Sequence, residues 1–498
     1  MALTTGEEVL DYLSEFLSEV QLKWVLLAFI VLNTIFALLI IYLNRRYPTT
    51  TLLWLALLAL IPVFGFVAFL LLGHTHFKEK RFRHKAENDR MIKHHAAEQM
   101  KELEETVLEG GDAAYEPFLG MARMMIHQND ALLTRNNHVT VYNDGNEKFD
   151  ALFEDIAKAK EHVHLEYYII RNDDLGKKLV TEMAKKAREG LEVRLLYDGV
   201  GCKALPGKFF KELEDAGGEV VGFFEKWLRV YLRFNHRNHR KIAVIDGRVA
   251  YVGGFNIGVE YLGQGHLGPW RDGAVRIEGH GAKLAQIRFM LDWGYETGKL
   301  REYDPRYYPD QDEFDGASVQ IASSGPDSFE ESIKNAYIKM INSAKESVYI
   351  QTPYFVPDHA VADALRIAAM TGVDVRIMIP CKPDHMFIYW AGYGNIGWLL
   401  ENGVRAFKYD DGFIHAKTIV VDGLVGSVGS ANWDVRSFKL NFETQAFIYD
   451  PEVGGLMKKR FEEDIEERCS ELTKEMYADR GTVIKMKETF ALLFSDLL

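Results

Sequence analysis

Two stretches of this 498-residue chain are one figure written twice. The first is His239-Arg-Lys241-Ile-Ala-Val-Ile-Asp246, followed seven residues after the aspartate by Gly253-Gly254-Phe-Asn256. The second is His415-Ala-Lys417-Thr-Ile-Val-Val-Asp422, followed at the same offset by Gly429-Ser430-Ala-Asn432. A single copy could arise by chance, but two in register define an internal repeat. The chain should then fold as two related halves, each contributing one half of a site.

The spacing predicts a geometry. Side chains alternate along a strand, so His239 and Lys241 share a face, as do His415 and Lys417. Each aspartate opens an Asp-Gly pair, the signal of a two-residue hairpin loop. Counting back across such a loop sets Gly254 opposite His239 and Ser430 opposite His415, leaving room for a ligand beside each imidazole. Asn256 and Asn432 follow two residues on, within diagonal reach. Each hairpin should therefore offer an imidazole, an ammonium and a carboxamide to one spot. That set suits a phosphate: Lys supplies charge, Asn supplies N–H donors, and His can attack or move a proton. Asp246 and Asp422 fall in the turns, at odd offsets from their lysines, and read as structural residues pairing locally with basic groups. A different carboxylate should orient each histidine. The candidates are Asp272, in Trp270-Arg-Asp, and Glu443, in Asn441-Phe-Glu, because each follows its repeat at a comparable distance. His236 reads as a supporting or surface residue.

The doubled H-x-K-x4-D with G-[GS]-x-N resembles the phospholipase D superfamily. The surrounding phrases are nearer still to bacterial cardiolipin synthases: Asn235-His-Arg-Asn-His-Arg-Lys241, Gly253-Gly-Phe-Asn-Ile-Gly258, Trp270-Arg-Asp272, Pro353-Tyr-Phe-Val-Pro-Asp358, Gly412-Phe-Ile-His-Ala-Lys417 and Arg436-Ser-Phe-Lys-Leu-Asn-Phe-Glu443. The similarity covers nearly the whole chain, with one departure at Asp496, where a proline is expected. It implies an α/β fold of two duplicated phospholipase D-like domains, mixed sheets flanked by helices, behind an N-terminal two-helix transmembrane hairpin. It also counts Asp246 and Asp422 with the site, and suggests His239 as nucleophile and His415 as acid/base, although the symmetry of the repeat permits the reverse. Two phosphatidylglycerol molecules would give cardiolipin and glycerol without cofactor or metal. Hydrolysis by a plain phospholipase D, a nuclease-type phosphodiesterase and a lipid-binding protein are the rival readings.

The rest of the chain bears on those rivals. Residues 24–43 are apolar apart from Asn33 and Thr34, and residues 51–73 carry no charge. Each stretch reaches the roughly 20 residues a bilayer crossing takes. A long first span with an acidic leader and a second span close behind is no cleavable signal. Residues 1–20 place Val9, Leu10, Leu13, Phe16, Leu17 and Val20 at helical spacing and predict an amphipathic helix. Arg45 and Arg46 sit between the spans, against a basic run from Lys78 to Lys93, which predicts both termini in the cytoplasm of a bacterial cell. The Phe223–Phe234 and Phe490–Phe494 runs suit a membrane interface as well as an ordinary packed element. With 59 Lys and Arg against 72 Asp and Glu, a net charge of −13 argues against general nucleic-acid affinity. The three cysteines are far apart and outline neither a disulfide framework nor a zinc site. The lysines would compete with any cation at the histidines.

Strands near 139–142, 162–168 and 192–197 alternate with helices near 147–160 and 175–189. The pattern returns with strands near 319–322, 347–351 and 374–378, and helices near 328–344 and 359–371. Ala159-Lys-Glu161 echoes Ala344-Lys-Glu346, and Gly190-Leu-Glu-Val-Arg194 echoes Gly372-Val-Asp-Val-Arg376. The expected divisions are an amphipathic helix 1–20, a hairpin 21–73, a cytoplasmic linker 74–130, a first domain 131–300, a linker 301–316 and a second domain 317–498. Phosphatidylglycerol and membrane lipids are the expected partners, nucleic acid is not, and homo-oligomerisation is left open.

Overall fold

The computed structural model describes residues 6–44, 48–72, 116–223, 236–298, 304–312, 314–328 and 330–493. They belong to two units, Met1–Arg81 and Phe82–Leu498. The basic run 78–93, the charged stretch 86–110 and residues 224–235 of the aromatic run lie outside the described residues.

In the first unit, helix α1 runs from Gly6 to Leu43 without a break where the amphipathic segment was expected to end. Its Lys23–Leu43 portion has 21 residues and a mean hydropathy of 2.8. At 1.5 Å per residue that portion spans about 31 Å, enough for a bilayer core. The second apolar stretch differs from the expected second span. It forms α2 (Pro48–Leu60) and α3 (Phe64–Leu72) with a break between them. Pro62 cannot continue a helix, and Val63 takes a left-handed φ of 65°. Trp54 and Phe69, which a straight helix would hold about 22 Å apart, meet with ring centroids at 5.6 Å. Gly65 permits this reversal, because a Cβ there would stand 2.8 Å from the Leu58 Cα. The uncharged composition of 51–73 concealed the break at Pro62.

Among the described residues, the second unit is built on one mixed sheet of 15 strands. The first half supplies β1 (Thr134–Tyr142), β2 (His162–Tyr167), β3 (Glu192–Asp198), β4 (Glu219–Phe223), β5 (Ile242–Ile245), β6 (Val249–Gly253) and β7 (Ala274–Glu278). The second half supplies β8 (Ala317–Ser324), β9 (Ser347–Gln351), β10 (Asp374–Pro380), β11 (Arg405–Tyr409), β12 (Thr418–Val421), β13 (Val425–Gly429), β14 (Glu443–Tyr449) and β15 (Cys469–Leu472). Their order is β15-β11-β10-β9-β12-β13-β14-β8-β1-β7-β6-β5-β2-β3-β4. Read outward from the centre, the halves repeat each other, with β15 added at one edge. Strands β2-β3-β4 and β9-β10-β11 are parallel, whereas the hairpins β5-β6 and β12-β13 are antiparallel. The halves join through antiparallel β1 and β8, where the Asn137 side chain donates to the Ala317 carbonyl at 3.0 Å. The repeats thus share a sheet rather than each closing its own. Val141, Val244, Val252 and Val275 of the first half accordingly pack in one core with Val319, Val420, Val428 and Ile448 of the second. Each such side chain contributes about 1.5–3 kcal/mol by leaving water.

Helices cover the sheet in matching places. Gly145–Lys158 buries Phe149, Leu152, Phe153 and Ile156, an i, i+3, i+4, i+7 stripe, and Asp144 caps it by accepting from the Asn146 and Glu147 amides. Ser332–Ser343 occupies the corresponding position in the second half. The hairpins depart from expectation by one residue. Ile245 pairs with Val249 and Val421 with Val425, so each loop holds three residues and the register shifts. Both members of each Asp-Gly pair are left-handed, with φ of 53° and 61° at 246–247 and 55° and 66° at 422–423.

Candidate functional site

The two figures meet because a short segment of each half pairs with the segment entering the other half's motif. Phe413 and Ile414 lie parallel to Trp270 and Arg271 in register. Asn238 bridges to Phe442. The amide of His415 donates to the Arg271 carbonyl at 2.7 Å, and that of His239 to the Phe442 carbonyl at 2.9 Å. One residue further along each register, Asp272 stands beside His415 and Glu443 beside His239. The side chains follow suit: His415 Nδ1 is 2.5 Å from Asp272 Oδ2, and His239 Nδ1 is 2.9 Å from Glu443 Oε2. The carboxylate that follows each repeat therefore serves the histidine of the other. Both carboxylates are fully buried.

This exchange corrects the expectation for the small residues. A Cβ on Gly254 would lie 2.1 Å from Asp272 Oδ1, and Ser430 Oγ donates to Glu443 Oε2 at 2.5 Å. Smallness at these positions admits a carboxylate, not a ligand. The one-residue register shift explains why the count across a two-residue loop placed them wrongly.

The lysines sit beneath the histidines. Lys241 Nζ donates to the His239 carbonyl at 2.5 Å, and Lys417 Nζ lies 2.7 Å from His415 Nδ1 and 3.7 Å from Asp272. Burial pushes Lys241 down to about 7 against the pull of Glu443, and Lys417 down to about 8 against that of Asp272. Burial, then the Lys417 charge, pushes His415 down to about 4, and burial lowers His239 against Glu443. Both imidazoles are therefore neutral near pH 7, with Nδ1 engaged and Nε2 left for chemistry. An anion arriving here would draw protons back onto the cluster.

Both histidines, Asn256 and Asn432 line one cavity of about 570 Å³. Asn256 is engaged: its Nδ2 donates to the Tyr261 hydroxyl and its Oδ1 accepts from the Ile169 amide, both at 3.1 Å. Asn432 Oδ1 is buried without a partner among the described residues. The cavity also presents residues that the repeat did not reveal. The Tyr168 ring stands edge-on to His239 at 4.7 Å, with Lys241 Nζ 5.1 Å from its centroid. Tyr261 brings its hydroxyl to 3.3 Å from His415 Nδ1, and Trp270 packs on His415 at 5.1 Å. Arg237 and Arg436 add positive charge to the wall. Trp270 and Arg436 do stand inside the phrases quoted above, but Tyr168 and Tyr261 are single aromatics without a repeated partner.

Asp246 and Asp422 lie away from the cavity. The Asp246 carboxylate accepts from the amides of Lys160, Glu161 and His162 at 2.8, 2.8 and 2.9 Å. Asp422 accepts from those of Lys345, Glu346 and Ser347, each at 2.8 Å. Their partners are main-chain amides, not the basic groups expected, and they are the amides of the two Ala-Lys-Glu echoes and the residue after each. His236 is buried, its Nδ1 3.1 Å from the Leu440 carbonyl.

Comparison with known proteins adds to this geometry. A family model described as cardiolipin synthase, PLD-like domain, matches residues 152–265 and 337–465. A cardiolipin synthase of Staphylococcus aureus (strain Mu50) is 44% identical over 484 residues, covering 97% of this chain and 98% of that protein. The chain belongs to the cardiolipin synthase family. The major cardiolipin synthase of Bacillus subtilis (strain 168) is 46% identical over 477 residues, covering 94% of this chain and 98% of its own. The crystal structure of phosphatidylserine synthase from Haemophilus influenzae Rd KW20 has a TM-score of 0.57, covering 76% of this chain and 100% of that one at 16% identity, which shows a shared fold. Each matched block of this cardiolipin synthase-family chain carries one His-Lys figure, while Asp272 stands just beyond the first block.

Proposed function

We propose that the protein is a membrane phosphatidyltransferase that condenses two phosphatidylglycerol molecules to cardiolipin and glycerol through a phosphatidyl-histidine intermediate. The observation that carries this reading is the pair of imidazoles on one cavity, each held at Nδ1 by a buried carboxylate from the opposite half. In the first step, once the bound phosphate has drawn a proton onto His415, His239 Nε2 attacks phosphorus; a P–N bond forms, the P–O bond to glycerol breaks, and the His415 imidazolium gives the leaving oxygen its Nε2 proton. In the second step His415 takes the proton from the terminal hydroxyl of another phosphatidylglycerol. That oxygen attacks phosphorus, the P–N bond breaks, and both histidines return to their starting state. Lys241, Lys417 and Asn432 would stabilise charge on the non-bridging oxygens, with Asn256 holding Tyr261 at the same wall. The direction of the roles, His239 as nucleophile, rests on the family resemblance. Asp246 and Asp422 act by fixing the hairpins.

The apolar Lys23–Leu43 helix supports attachment to a bilayer. A multi-pass arrangement with the catalytic unit in the cytoplasm is supported by the basic run after residue 77 against two arginines between the apolar stretches. The test is product analysis: the purified protein in phosphatidylglycerol vesicles should yield cardiolipin and glycerol in equal amounts by mass spectrometry. Phosphatidic acid as the sole lipid product would make it a hydrolase.

A further inference from the structure

One wall of the reaction cavity leads to an apolar surface that the reaction does not use. His385 and Ile388 line the cavity at the start of helix Met386–Leu400. The C-terminal helix Thr482–Leu493 lies on that helix. Ala491 is buried with Val356 and Ala391, and Phe387 meets Phe490 edge-on at 6.2 Å. Glu488, the helix's one carboxylate, is buried, 2.7 Å from Arg480 and 3.1 Å from the Tyr477 hydroxyl. The opposite face is largely exposed to solvent. Val483, Met486, Phe490 and Leu493 are 66, 67, 61 and 59% exposed, and their spacing of three, four and three residues sets them along one stripe. Met386, at the cavity end of the neighbouring helix, is 54% exposed. Lys485 and Lys487 are exposed beside the stripe.

Val483, Met486 and Leu493 hold apolar surface in water on a face the helix does not need for its own packing, and Phe490, edged by Phe387, continues the stripe. The flanking charge identifies the occupant. In a chain of net charge −13, this helix shows solvent two lysines and no unpaired carboxylate. An apolar stripe rimmed by lysines fits the boundary between acyl chains and anionic head groups. We infer that the Val483–Leu493 stripe, with Met386, is where the catalytic unit rests on an anionic bilayer, setting the cavity beside the head groups. This rests on the reading that the substrate is a bilayer lipid. It gives the unit a second attachment, distinct from the Lys23–Leu43 helix, whose purpose is position and not retention.

The experiment uses the full chain carrying Met486→Glu and Phe490→Glu, neither of which belongs to the catalytic machinery. Turnover of phosphatidylglycerol in vesicles should fall by about tenfold or more, while turnover of monomeric dihexanoyl phosphatidylglycerol stays within about twofold of the unsubstituted protein. An unchanged vesicle rate overturns the inference, as does a loss shared equally by both substrates. A second readout places an environment-sensitive NBD label at Met486→Cys in a Cys381→Ser, Cys469→Ser background. Its emission should shift to the blue in phosphatidylglycerol nanodiscs and be quenched by brominated acyl chains. A shift that follows protein concentration in detergent and ignores the bilayer would assign the stripe to a second copy of the chain and overturn the inference. If neither substrate gives cardiolipin, the reaction assigned above fails, and the label alone still decides where the helix lies.

Discussion

The two half-sites share a backbone and differ in what surrounds each imidazole. His239 has Glu443, itself held by Ser430 at 2.5 Å and by Asn441 at 3.1 Å, with the edge of Tyr168 alongside. His415 has Asp272, the Tyr261 hydroxyl, the Lys417 ammonium within 2.7 Å of the same nitrogen, and Trp270 packed on the ring. The first carboxylate is well supplied with donors. The second faces a position where Gly254 can offer none. The repeat thus supplies two equivalent frames, and unpaired residues, Ser430 against Gly254 and Tyr261 against Tyr168, make the histidines chemically distinct. Because the carboxylates are exchanged, neither half holds a complete pair. The crossed pairing depends on the β1–β8 seam and the short segments that cross it.

The largest effect should come from the histidines themselves. His239→Ala should abolish the covalent adduct with every substrate, since the nitrogen that holds the phosphatidyl group is gone. His415→Ala should lower turnover of phosphatidylglycerol by about 10²–10⁴-fold, the usual worth of a general acid. With a p-nitrophenyl phosphodiester lipid, whose leaving group departs without a proton, the same variant should accumulate radiolabelled phosphatidyl protein and release it slowly. A reversed labelling pattern would exchange the two roles, and absence of label from unsubstituted protein as well would remove the covalent step.

Next come the carboxylates, where the exchange makes a specific demand. Asp272→Asn should reproduce the His415 defect, recovering adduct formation with the activated lipid. Glu443→Gln should reproduce the His239 defect and form little adduct with any lipid. Each amide keeps the volume of the carboxylate but cannot hold the imidazole in the same tautomer, which in comparable triads costs up to about 10⁴-fold. If each variant instead copied the histidine of its own half, the crossed pairing would not govern function.

How much of this could be read from residues alone follows from what repeats and what does not. The duplication, the α/β alternation, the His-Lys pairs and the two carboxylates that stand beside the histidines are present in the sequence as local patterns. The partner of each carboxylate does not, because it is fixed by a parallel register between segments more than 140 residues apart, 270–271 with 413–414. The roles of Gly254 and Ser430 were misread for a smaller reason: an Asp-Gly pair announces a turn but not whether its loop holds two residues or three, and one residue turns a side chain to the other face. The joining of two sheets into one rests on β1, whose Thr134–Asn137 end carries no hydrophobic alternation. Pro62 was visible, yet an uncharged stretch of bilayer length outweighed it.

The smallest effect tests the other pair of carboxylates, those in the turns. Asp246 and Asp422 each gather three amides of the segment entering the neighbouring strand, β2 or β9, and have left-handed backbones, and neither reaches the cavity. Replacing either with Asn keeps a residue that tolerates the backbone but turns one acceptor oxygen into a donor facing an N–H. At least one charge-assisted hydrogen bond is lost, which costs about 1.5–3 kcal/mol where the group is shielded and less at a partly exposed loop. The loss should be similar at the two sites, because the partners match in number and distance. It should appear as a lower denaturation midpoint, with turnover per folded molecule within about twofold of the unsubstituted protein. The contrast with Asp272 and Glu443, where turnover falls and the midpoint need not, is what separates a scaffold carboxylate from one that positions a reacting group. If Asp246→Asn or Asp422→Asn silenced a protein that still unfolded at the original midpoint, the turn aspartates would have to be returned to the chemistry.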